Sequence, residues 1–163
     1  LDMLGVDYIE GGWPGANPTD SEFFNEAPKT KATFLAFGMT KRAGRSAEND
    51  EVLAGVMNAG TDAVCLVGKT HDFHVTTALG ITLDENLENI SASFTHLVKN
   101  GREALFDAEH FFDGYKANPD YALEAIRAAG KKDGMLTLMD SARQLVEMGG
   151  TSVDEMLRVT GAE

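Results

Sequence analysis

Four short apolar runs, at residues 6–10, 33–38, 63–67 and 103–107, limit most sharply what this chain can fold into. Each is brief, apolar or alternating, and bounded by Gly, Pro or charged turn residues, the pattern of a short strand. Helical patterns fill 19–26, 47–59, 83–100 and, after the fourth run, 121–129. Thr19 or Asp20 reads as the cap of the first helix and Ser46 as that of the second. In the third, Leu87, Ile90, Phe94, Leu97 and Val98 recur at helical spacing, and Lys99-Asn100-Gly101 is a stop signal. Strand starts spaced by roughly 30 to 40 residues leave room for a crossover helix, so the strands should run parallel with right-handed connections.

Chemically useful side chains gather just after each run: Glu10, Trp13 and Asn17; Lys41, Arg42 and Arg45; Lys69, His71 and His74; Glu109, His110 and Lys116. In a β/α barrel, and equally in an open doubly wound sheet, the ligand site lies at this end of the strands. Loops are polar in general, which is the competing explanation.

Charge removes several functions. Fourteen Lys and Arg stand against 26 Asp and Glu, a net charge of −12. A broad nucleic-acid surface needs a positive face, and anionic membranes attract basic segments, so neither partner is expected. The single cysteine, Cys65, excludes an internal disulfide framework and a cysteine-rich zinc site. No apolar run approaches the roughly 20 residues of a membrane span, and the start has no basic leader. A cytoplasmic location is the default expectation.

Four clusters can carry chemistry. In residues 106–116, Asp107, Glu109, His110, Asp113, Tyr115 and Lys116 crowd a strand end. A carboxylate beside a histidine supports proton transfer or a divalent metal, and a polar loop capping the next helix is the alternative. His71 and His74 form an H-x-x-H pair, suited to donating a hydrogen bond to a substrate; without a third ligand nearby it makes a weak zinc site. Lys41, Arg42 and Arg45 form a basic knot around Gly44 that suits a bound anion, unless they pair with local acids. Glu10 precedes the glycine turn Gly11-Gly12-Trp13-Pro14-Gly15. Cys65, inside AVCLV, reads as a buried small hydrophobe, and His96, mid-helix, as surface or packing.

The two ends differ in character. Asp2-Met3-Leu4 reads as the last turn of a helix capped by Gly5, which suggests a piece of a longer chain; a trimmed start with a short leading helix is the alternative. From residue 130 the β-α alternation stops. After a polar break at Lys131-Lys132-Asp133-Gly134, residues 136–148 and 153–159 read as amphipathic helices, the second opened by Ser152 and Glu155 as a capping box. Two regions are expected, 1–129 and a helical tail, 130–163.

The strings DYIEGGWPGANPTD, FGMTKRAGR, AVCLVGKTHDFH and FDAEHFFDGYKANP closely resemble the citramalate synthase/2-isopropylmalate synthase family over about residues 1–129. The resemblance implies an α/β fold, a partial TIM-type (β/α) barrel of about four parallel strands, family strands two to five, followed by C-terminal helices. It also implies an acyltransferase performing a Claisen-type condensation of acetyl-CoA with pyruvate or a related 2-oxo acid, in branched-chain amino acid and specifically isoleucine biosynthesis. By residue, Glu109 matches the family's strand-five glutamate near the oxo acid and His74 the strand-four substrate-binding histidine; these are the catalytic candidates. Glu10 matches the glutamate closing strand two, and Lys41 and Arg42 fall in the strand-three motif; these are the substrate-binding candidates. The family uses a divalent metal, Mg, Mn or Zn. Its Arg-Asp pair belongs to a strand before Leu1 and its H-x-H pair to one well beyond Ala129, so none of its metal ligands is found in these residues and the isolated chain is expected to be inactive or nearly so. A homo-oligomer is expected, and a non-catalytic partial barrel that self-associates or needs a partner chain is the alternative. The tail, about 134–163, is weakly similar to the C-terminal helices of N-acetylglucosamine-6-phosphate deacetylase, so two barrels joined in one chain is a further expectation.

Overall fold

Strand ladders form where the apolar runs lie. In the computed structural model, which describes residues 1–26, 28–130 and 138–160, they are β1 (Tyr8–Glu10), β2 (Thr33–Met39), β3 (Ala63–Lys69) and β4 (Glu103–Glu109). They lie side by side in the order β1-β2-β3-β4, and every pairing is parallel. The helices are α1 (Pro18–Phe23), α2 (Glu51–Asn58), α3 (Asp72–His74), α4 (Leu83–Lys99), α5 (Phe111–Ala117), α6 (Pro119–Gly130), α7 (Leu138–Glu147) and α8 (Val153–Thr160). A π-helical turn, Val75–Leu79, extends α3.

The chain divides into two compact units, Leu1–Asp133 and Gly134–Glu163. In the first, successive strand residues point to opposite faces of the sheet. Ala36, Val64 and Leu66 point toward the helices and pack with Leu53, Val56, Ile90, Phe94, Leu97, Ala125 and Ala129. The alternate set, including Glu10, Leu35, Cys65 and Asp107, faces the other way. That second face is concave: Tyr8 Oη on one outer strand donates a hydrogen bond to Glu103 Oε1 on the other outer strand. Side chains on strands three apart meet in this way when the sheet curls, as the strands of a closed barrel do. The expected fold class, four parallel strands of a TIM-type barrel with surrounding helices, is the one observed.

Several local expectations are corrected. The last three strands run further than 38, 67 and 107: Met39, Lys69 and Glu109 stay in the ladder, with Lys69 opposite Glu109. β1 begins at Tyr8 rather than residue 6. The first helix is capped by Asn17, whose side chain accepts from the Asp20 amide, not by Thr19 or Asp20. Ser46 opens only a 3-10 turn. α2 starts at Glu51 because the buried Asp50 carboxylate accepts from the amides of Val52, Leu53 and Arg42. α5 and the π-helical turn lie in stretches where no helix is expected from the sequence.

Asp2–Leu4 is a single 3-10 turn ended by Gly5 at φ 71°. In the second unit α7 and α8 pack together, and the Glu155 amide donates to Ser152 Oγ at 3.1 Å. Glu155 does not complete the capping box; its carboxylate pairs with Arg158. The expected polar break at residues 131–134 lies outside the described residues. None of the described helices is long and apolar enough to cross a membrane.

Candidate active site

β3 and β4 end level with each other, and that register builds the centre of the site. Lys69 and Glu109 are cross-strand partners, and Lys69 Nζ donates to Glu109 Oε2. Thr70 fastens the chain leaving β3, its hydroxyl donating to the Glu109 carbonyl at 2.8 Å. From behind, Asn86 Nδ2 on α4 donates to the Lys69 carbonyl at 2.9 Å and to Tyr121 Oη at 2.7 Å. The strand ends therefore sit on a buried polar support rather than in a loose loop.

Three imidazoles stand around this ion pair. His71 and His74 stack, ring centroids 4.8 Å apart and planes 23° apart, and His110 meets His74 edge-on at 4.6 Å and 85°. His110 Nε2 lies 3.9 Å from Glu109 Oε1. Local desolvation lowers the proton affinity of His74, and the cationic forms of His110 and His71, with Lys69, lower it further; Glu109 opposes them. These influences favour the neutral form of His74, which can donate or accept a proton.

Of the five candidate residues, Glu109 and His74 come together here. Glu10 lies on the concave face, where it stays exposed and partial desolvation, then the Asp107 carboxylate, push its pKa above the ordinary glutamate value. Burial, Glu10 and Asp107 also raise the Cys65 thiol to about 11, so it is almost wholly un-ionised at neutral pH and a poor nucleophile. The turn after Glu10 needs its glycines: a Cβ at Gly11 would come within 2.3 Å of the Phe34 ring, and Gly12 has φ 130°.

The Glu10 shift fixes the sign of a stability effect. A carboxyl that binds its proton more tightly when folded destabilises the native state above its native pKa and is neutral below its unfolded one. Glu10→Gln should therefore raise the thermal midpoint modestly at pH 7. The gain should vanish as the pH falls below the ordinary glutamate value, which paired melting curves at several pH values would check.

Arg42 and Lys41 diverge. Arg42 is exposed on the loop after β2, its amide held by Asp50. Lys41 is 5% exposed and turned away toward α4, where its ammonium contacts Asn89 Oδ1 at 2.6 Å and Glu88 Oε2 at 2.8 Å. Its backbone amide donates to Ser93 Oγ at 2.8 Å. Lys41 thus anchors the loop that presents Arg42. A cavity of about 300 Å³ opens between this loop and the π-helical turn, lined by Met39, Arg42, Leu79 and Ile81 above Asn86 and Asn89.

Sequence reading missed Asn86, Asn89 and Ser93. They carry the apolar stripe of α4 on toward the strand ends, and polar residues at core-facing positions of a helix were the available signal. Among the described residues no three His, Cys, Asp or Glu side chains converge as a metal site. Glu109 Oε2 is engaged by Lys69 and His71 Nδ1 lies 3.0 Å from Asp72 Oδ1, so these donors do not fit the divalent ion that the resemblance implies.

No family model matches the chain. It is similar to the (R)-citramalate synthase of Streptomyces coelicolor, 47% identical over 135 residues, covering 80% of this chain and 25% of that protein. It is 45% identical to that of Geobacter sulfurreducens and 43% to that of Sulfolobus acidocaldarius; each alignment covers 98% of this chain and 30% of the relative. The longer alignments run through the tail, so the likeness extends past residue 129. The chain spans a quarter to three tenths of these relatives. Among solved structures it resembles hydroxymethylglutaryl-CoA lyase from Pseudomonas aeruginosa, with a TM-score of 0.54 and 15% identity over 94% of this chain and 54% of that one, a likeness of fold.

Proposed function

Because the chain belongs to the citramalate synthase/2-isopropylmalate synthase family, we propose that it carries the strand-two to strand-five part of an acyltransferase site that condenses acetyl-CoA with pyruvate or a related 2-oxo acid. The supporting observation is the convergence of Glu109, Lys69 and His74 at the C-terminal ends of β3 and β4. In this reading Lys69 fixes one oxygen of Glu109 and leaves the other toward the mouth, where it shapes the pocket around the oxo acid. Neutral His74 supplies a hydrogen bond or a proton to substrate oxygen. Glu10 closes the concave side, and Arg42 attracts the substrate's anionic group. Lys41 acts through the loop it anchors. The family's metal would polarise the keto carbonyl, and the residues described here do not hold it.

The test is a chimaera in which this chain replaces the aligned stretch of the Geobacter sulfurreducens (R)-citramalate synthase. Thiol release from acetyl-CoA should require pyruvate and Mg²⁺ or Mn²⁺, and Glu109→Gln should lower it by roughly 100-fold or more. The chain alone should release almost none. Release that ignores pyruvate, or a folded chimaera without any, would refute the assignment.

The outer edges of β1 and β4, which pair with no further strand among the described residues, favour a second reading, a scaffold that self-associates. Sedimentation across a concentration series decides it: a species heavier than one chain supports that reading, and a monomer at high concentration removes it.

A further inference from the structure

His110 has a side chain in a backbone state that the rest of this fold gives to glycine. Its φ is 58°, and it is the only non-glycine residue with positive φ among those described; the other eight such positions are all glycine. The left-handed state crowds a Cβ against the following carbonyl, so glycine takes it most cheaply. Three ordinary reasons for keeping a histidine there are absent. It stands at the N-cap of α5 without making a side-chain capping hydrogen bond. Its side chain is 49% exposed, so burial contributes little. Its Nε2 is 3.9 Å from the nearer Glu109 oxygen, too far for a direct hydrogen bond.

What the strained backbone does achieve is placement. Directly after Glu109, it turns the imidazole back over the strand end, between the Glu109 carboxylate and the edge-on ring of His74. We propose that His110 is a positioning residue of this site, held for its ring, which fills the space between Glu109 and His74 and sets the orientation of His74. This deepens the acyltransferase reading and rests on its assignment of Glu109 and His74. The groups facing His74 are His110 at the start of α5, His71 before α3, and Lys69 and Glu109 at the strand ends. After desolvation, His110 has the largest influence on His74, and it disfavours the charged form.

The experiment is a histidine NMR titration of the full chain from pH 5 to 8, for the wild type, His110→Asn and His110→Gly. Both replacements suit a left-handed backbone and lack an imidazole. The titration of His74 should move to higher pH in both, because the imidazole that disfavours charge on His74 is lost and the ring becomes better solvated. The thermal midpoint of His110→Gly should equal or exceed the wild-type value. An unchanged His74 titration in either folded variant overturns the proposal. So does loss of the fold in His110→Gly, which would make His110 a structural residue. Neither acetyl-CoA nor an oxo acid enters this measurement, so its failure and a failure of the acyl-transfer reading are distinguishable.

Discussion

Phe94→Ala is expected to cost about 4 kcal/mol of stability, close to a thousandfold in the folding equilibrium. Phe94 is 2% exposed in the layer between the sheet and the helices, and its ring meets Phe106 of β4 edge-on at a centroid distance of 5.3 Å. The truncation removes a whole ring from a close-packed region, and the neighbours can close only part of the space. Leu66 and Val64 are fixed by the β3 ladder, and Ile90 and Leu97 by the same helix. The edge-to-face contact adds roughly 1 kcal/mol beyond burial. Urea unfolding followed by far-ultraviolet circular dichroism would check this, with the midpoint falling and the slope unchanged. Phe94→Leu keeps most of the volume and should cost less than half as much. Equal costs for the two would mean that the region is not tightly packed.

The same layer shows why the architecture was legible and the site only partly so. The runs 33–38 and 63–67 are almost wholly apolar, as strands covered on both faces are, and strand geometry puts Ala36, Val64 and Leu66 on one face. Strand count and direction follow from the brevity and spacing of such runs. Strand ends do not. Lys69 and Glu109 look like loop residues because each is charged, yet each satisfies the other across the ladder, a pairing of residues 40 positions apart. Ser46 and Asp50 are both capping residues by type. Asp50 prevails because its carboxylate is buried and gathers three amides, which depends on packing.

Within the site, the family resemblance supplied Glu109 and His74, and their convergence depends on β3 and β4 ending level. Lys41 and Arg42 are adjacent in sequence and form one basic knot there. The fold separates them, burying the first against α4, where Asn89 and Glu88 hold its ammonium, and leaving the second exposed with only its amide held by Asp50. His110 was visible only as one member of a polar cluster. Its importance depends on a backbone angle, which composition does not encode.

Gly114→Ala should destabilise the Leu1–Asp133 unit by about 2 kcal/mol, and its sign is the informative part. Gly114 sits inside α5, where alanine ordinarily stabilises a helix by about 1 kcal/mol relative to glycine. Here an added Cβ would lie 2.5 Å from the Thr70 carbonyl oxygen and 2.9 Å from His71 Cα. Both are backbone atoms at the end of β3, and Thr70 is already tied to Glu109, so neither yields cheaply. Overpacking of this kind costs roughly 1–3 kcal/mol and exceeds the propensity gain. The chain relieves the clash by moving α5 outward. That movement carries His110, one turn earlier and bonded through its carbonyl to the Gly114 amide at 2.8 Å, away from His74. Gly114→Ala should therefore lower the thermal midpoint and also raise the pH at which His74 titrates, as the direct His110 replacements do. Gly114→Ser should behave alike, since it adds the same Cβ. A stabilised Gly114→Ala protein would mean that α5 is free to shift, and that the close approach of the two histidine-bearing segments is not built into the packing.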